Sequence, residues 1–94
     1  MENITTVQKE QLSSFKFYQN EVIPEKVLQR LRKFDLDRAL ILGNIDHSKV
    51  TLVLKTSEGS LLQVKTTVWA VTDDYICLKG GISIPIKAVV DIVL

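Results

Sequence analysis

Ninety-four residues are enough for one domain and leave no room for a second core. An apolar share of 46% excludes a disordered chain. Twelve basic residues against eleven acidic ones, net +1, exclude long-range attraction to nucleic acid or an anionic membrane and leave only local patches.

No apolar run approaches the roughly 20 residues that cross a bilayer. The start, MENITTVQKEQ, lacks the charged and apolar regions of a secretory signal. Cys77 is the single cysteine, which rules out an internal disulfide and fits a reducing compartment. A cytoplasmic protein without membrane contact is expected.

Residues 1–20 are ambiguous. Val7, Gln11, Leu12, Phe15 and Tyr18 suit one helical face, whereas Phe15 and Phe17 alternate like a short strand. A helix or irregular arm is expected. A second helix starts with Pro24 in its first turn and ends between Phe34 and Asp37. Val27, Leu28, Leu31 and Phe34 form its apolar stripe, and Lys26, Arg30 and Lys33 occupy the other side. Residues 39–45, ALILGNI, read as a short strand, or as a helical extension to Gly43, before a turn at Asp46-His47-Ser48.

Residues 50–56 alternate as a half-buried strand, and Ser57-Glu58-Gly59 makes the hairpin loop. Residues 60–72 are then a strand of roughly 40 Å, about twice the length of its neighbours. Such a strand bends, and residues 65–67 are the place, because alternation is weakest there. Leu62, Val64, Val68 and Ala70 are expected on one face, with Lys65, Thr67 and Trp69 on the other.

Asp73-Asp74 and Gly80-Gly81 mark the next turns around a strand at residues 75–79 with Ile76 and Leu78 inward. Ile82, Ile84 and Ile86 continue the inward face, and Pro85 requires that strand to be an edge or to end there. Residues 89–94 are apolar on both sides, so the closing strand needs cover from the helix or from another subunit.

The fold class expected is α+β: a helical N-terminal part (1–38) packed on a strongly bent antiparallel barrel of five to six strands (39–94), as one domain. The order of elements from Val50-Thr-Leu-Val-Leu through Tyr75-Ile-Cys-Leu-Lys to Ile84-Pro-Ile-Lys-Ala-Val-Val-Asp-Ile-Val resembles the Sm-like and SH3-like small barrels, over about half the chain. Residues 63–67 lack the glycine usual in the second Sm-like strand. The RNA-contacting tyrosine-lysine-histidine motif of the bacterial RNA chaperone in that family falls on Pro85, Ile86 and Lys87. Leu42-Gly-Asn, Thr66-Thr-Val-Trp-Ala and Ile84-Pro-Ile are also similar to a family of small bacterial proteins without assigned function.

Chemistry-bearing residues are few. His47 and Cys77 make at most two strong zinc ligands, and no metal or other cofactor is expected. Asp73-Asp74 reads as a turn and Cys77 as a small buried apolar residue. No nucleophile–base pair or phosphate loop is present, so the chain is not expected to be an enzyme. The best functional expectation is a self-assembling or protein-interaction module, with the C-terminal strand as its contact. The alternative is nucleic-acid binding through Lys26, Arg30 and Lys33, or through Lys65, Trp69, Tyr75 and Lys79 as a stacking platform. For Trp69, cover by the N-terminal helix is the preferred expectation, because an exposed tryptophan lowers solubility.

Overall fold

The computed structural model describes residues 3–94. It is a mixed α+β fold in which a long helix, α1 (Lys26–Asp46), lies against two sheets. Before it come a short strand, β1 (Ile4–Thr6), a 3-10 turn (Lys9–Ser14) and an irregular arm. After it come β2 (Val50–Lys55), β3 (Leu61–Thr66), β4 (Val68–Val71), β5 (Tyr75–Leu78), β6 (Ile82–Pro85), a 3-10 turn (Ile86–Ala88) and β7 (Val89–Val93). One sheet has the order β1-β3-β2-β7 and the other β4-β5-β6.

The long bent strand is β3 continued into β4. Thr67 breaks it, buried, with its hydroxyl donating to the His47 carbonyl at 3.3 Å. The chain leaves one sheet here and enters the other. A bulge between Val68 and Ala70 then shifts the alternation by a residue. Ala70, expected inward with Val68, is therefore exposed, and Val71 packs against the core instead.

The expected barrel is not closed. Among the described residues no ladder joins the two sheets. Pro85 ends β6, and the 3-10 turn after it carries the chain across to β7 without pairing. One pairing is parallel: β1 adds to β3 from Ile4↔Leu61 to Thr6↔Gln63. The N-terminal segment thus supplies a strand, where a helix or irregular arm was expected. Its Val7, Leu12 and Phe17 are buried in the core.

The helix departs most from expectation. It does not stop at residues 34–37; of the two readings of residues 39–45 the helical extension holds, and it runs past Gly43 to Asp46, while the strand does not form. Taken alone, a segment as short as ALILGNI does not decide between strand and helix; here it continues the helix that precedes it. The end comes at His47, in the left-handed region at φ 56°, with its N–H donating to the Gly43 carbonyl at 3.1 Å.

The face is also inverted. Arg32, Leu36, Ala39 and Gly43 form the buried row, whereas Val27, Leu28, Leu31 and Phe34 are exposed. Gly43 shows why that row faces inward. A Cβ on it would stand 2.5 Å from the Val68 carbonyl oxygen, so helix and strand touch backbone to backbone.

β7 lies at the free edge of the four-stranded sheet. A register shift between Val53 and Leu54 turns both Val89 and Ile92 inward. The simple alternation of Val90, Ile92 and Leu94 against Val89 and Val93 does not hold. Val93 and Leu94 are exposed.

Candidate interaction surfaces

Two surfaces follow from the way α1 is seated. The first is its outer side. Val27, Leu31, Phe34, Ile41 and Ile45 recur at alternating spacings of three, four and seven, with Arg38 filling the single gap. At 100° per residue they lie opposite the buried row. Phe34 is 59% exposed, Ile41 55% and Ile45 76%. Leu28, 47% exposed, flanks them and lines a cleft with Ile23, Val90 and Ile92. A cleft of mixed lining, which also holds Glu25, Asp35 and Asp91, therefore joins the helix face to the β7 edge. At on the order of 100 Å² per side chain, the patch reaches or exceeds the roughly 300–600 Å² of the largest patch on a typical monomer. Arg38 lies over the Phe34 ring at 5.9 Å, which shields part of it.

The second surface is a cleft of about 550 Å³ between the first half of α1, the β4–β5 turn and the 3-10 turn after β6. Lys26, Arg30 and Lys33 line one wall, and Tyr75 and Lys87 belong to its lining too, over an apolar floor that includes Leu36 and Ile86. Asp73 and Asp74 add two carboxylates. Among the described residues Lys26, Arg30 and Lys87 have no ion-pair partner; Lys33 faces Asp37 at 3.8 Å on the exposed helix surface.

The cleft thus gathers four of the seven residues expected for nucleic-acid contact. Lys65, in mid-β3 opposite Thr51, does not belong to it. Neither do Lys79 and Trp69. Trp69 sits at the β4 bulge and is 46% exposed, so it is not covered as preferred. Trp69 and Tyr75 do not share this cleft.

Arg32 and Glu21 hold the two surfaces in place. Arg32 is buried; its Nη1 donates to Glu21 Oε2 at 2.7 Å and to the Val89 carbonyl at 3.1 Å, and its Nη2 donates to Glu21 Oε1. Arm, helix and β7 meet at this guanidinium. Burial pushes the Glu21 carboxyl up, but hydrogen bonds from Arg32 and the Ile23 amide, with the Arg32 charge, outweigh it and leave its pKa below the ordinary value. Sequence reasoning missed this pair because Arg32 sits inside the run Arg30-Leu-Arg-Lys, and eleven positions separate it from Glu21. It also missed Ile41 and Ile45, although both prolong the spacing begun at Val27.

His47 is exposed at the helix end, Asp73 and Asp74 are exposed at the hairpin turn, and Cys77 is half-buried on β5 opposite Ser83. Among the described residues no group of three His, Cys, Asp or Glu side chains is placed to hold a metal. No helix among them is long and apolar enough to cross a membrane.

In class the molecule is a small α+β fold with an apolar helix face and a basic cleft side by side. No protein-family model matches the chain, and neither the curated proteins nor the solved structures contain a match.

Proposed function

We propose that the chain is a non-catalytic module that works by binding protein, and that the outer face of α1, continued to the β7 edge, is the binding surface. The exposed apolar row opposite the buried one carries this reading. Folding leaves those side chains in water, and removing them from water is a free-energy gain still open to the fold. A photoreactive diazirine side chain at Leu31, in the producing cell, tests the reading. Adducts to another chain, whether a copy or a different protein, are expected, and none is expected from the same group at the buried Leu36. Irradiation that leaves the Leu31 chain free of adducts overturns it.

A second reading rests on the cleft. Three cations on consecutive turns of α1 with Tyr75 beside them suit a phosphate backbone and one stacked base. Fluorescence anisotropy of a labelled single-stranded RNA tests it. Binding at low salt that weakens steeply with added salt supports nucleic-acid contact; no binding at low salt ends it.

A further inference from the structure

Resting on the protein-binding reading, we infer that the occupant of the outer α1 face is a second copy of this chain, paired helix to helix in antiparallel sense. The row is complementary to itself when reversed. Val27 then meets Ile45 of the second copy, Leu31 meets Ile41, and Phe34 meets Arg38. Every apolar side chain except Phe34 meets another, and Phe34 meets the one cation whose guanidinium already lies over a Phe34 ring within the chain. A parallel pair of the same helices would set Arg38 against Arg38 at its centre, two like charges in an apolar seam. Reversal replaces that repulsion with attraction, because Asp35, beside Phe34 in sequence, approaches the second copy's Arg38.

The geometry permits close approach. The sheets lie on the opposite side of α1, behind Leu36, Ala39 and Gly43, so the outer face meets its copy unobstructed. The spacing of three and four is that of a two-helix seam. Burying the patch on both copies removes on the order of 1,000 Å² or more from water, the lower bound for a specific interface. The flanking cleft beside Leu28 gives the rim a mixed surface, Ile23, Val90 and Ile92 among Glu25, Asp35 and Asp91.

Sedimentation equilibrium on the full chain, with helicity monitored by circular dichroism, tests the pairing. The chain is expected at twice its monomer mass in the micromolar range. Arg38→Asp and Asp35→Arg each place like charges across the seam and should weaken association by about tenfold or more. The double variant R38D/D35R, with the charges exchanged, should recover the charge-pair part of that loss and bind more tightly than either single variant, though not the contact of Arg38 with Phe34. Orientation is read in a Cys77→Ser background: chains carrying Val27→Cys should crosslink to chains carrying Ile45→Cys and not to one another. A chain monomeric at millimolar concentration, or a double variant no tighter than the singles, overturns the inference. Diazirine adducts to a different protein from a chain that stays monomeric overturn it too, and leave the protein-binding reading standing. Absence of any adduct removes both.

Discussion

Arg32 grips Glu21 with both terminal nitrogens, and the same guanidinium holds the carbonyl of Val89. Three segments far apart in sequence are thereby fixed to one another: arm, helix and closing strand. The Arg32 side chain is 6% exposed and that of Glu21 25%, so the pair is shielded but not sealed. Glu21→Gln keeps the shape and removes the charge, leaving a buried guanidinium without its counter-ion. A loss of about 2–3 kcal/mol at neutral pH is expected in urea unfolding.

The same pair sets a pH dependence. The Glu21 carboxyl has a lower pKa folded than unfolded, so the unfolded chain binds its proton first as pH falls. The stabilisation is therefore complete above the ordinary glutamate value of 4.5, shrinks below it, and is gone once pH has fallen through the lowered folded value. Unfolding midpoints of the chain and of E21Q should converge across that acid range and stay parallel above it. A gap unchanged down to the acid limit would show that Arg32 does not depend on the Glu21 charge.

Gly43 reverses the usual rule for helices. At an exposed helical position Gly→Ala stabilises by about 1 kcal/mol. Here the added methyl would stand 2.5 Å from the Val68 carbonyl oxygen and 2.9 Å from Thr67 Cγ2. Backbone on that side cannot rotate away, so helix and strand must separate. Gly43→Ala is expected to cost about 1–3 kcal/mol, and Gly43→Val more. Thermal unfolding checks the sign; a raised midpoint would mean that α1 is not seated on β4 as described.

The strands from Val50 onward were legible in the chain because alternation, turn residues and one proline agree on them. The bend was legible for the same reason: a strand too long for its neighbours must fold over, and Thr67 is where it does. The helix was legible as an element starting near Pro24, with an extension to Gly43 as one reading, but its inward face was not. Its two rows, Val27 to Ile45 and Arg32 to Gly43, compete for the inward side, and hydrophobicity alone favours the wrong one. What decides is the close backbone approach at Gly43 and the partner of Arg32, both set by residues distant in sequence. The single-residue shifts at Trp69 and Val90 were hidden likewise, since a bulge leaves no mark in an apolar run. For the candidate surfaces, the basic stripe was visible as spacing, but its meeting with Tyr75 and Lys87 depends on the turn after β6.

The cleft gives a prediction that separates its residues from the other cations. If it takes single-stranded nucleic acid, Arg30→Glu combined with Lys33→Glu should reduce affinity by about tenfold or more at low salt and flatten the salt dependence. Tyr75→Ala should cost roughly 1–3 kcal/mol of binding through lost stacking. Lys65→Glu, outside the cleft, should change affinity only slightly. Anisotropy titrations at two salt concentrations read all three. Equal losses at Lys65 and Arg30 would point to diffuse charge attraction, and the cleft would have no special part.

The inversion of α1 makes the sharpest contrast, because two residues five positions apart should respond in opposite ways to the same change. Leu36 is fully buried against the sheets, whereas Ile41 is 55% exposed on the far side. Leu36→Lys replaces a fully buried side chain with an ammonium group that must stay desolvated or push out through the cleft floor, and should cost about 3 kcal/mol or more of stability. Ile41→Lys places the same group in water, exchanges a β-branched residue for a better helix former, and should leave the unfolding free energy of the monomer within about 0.5 kcal/mol. Any helix-to-helix association would weaken at the same time, so the comparison belongs at low concentration, followed by far-ultraviolet circular dichroism. Were residues 39–45 a strand, or were the Val27–Phe34 side inward, Ile41→Lys would unfold the chain and Leu36→Lys would be tolerated.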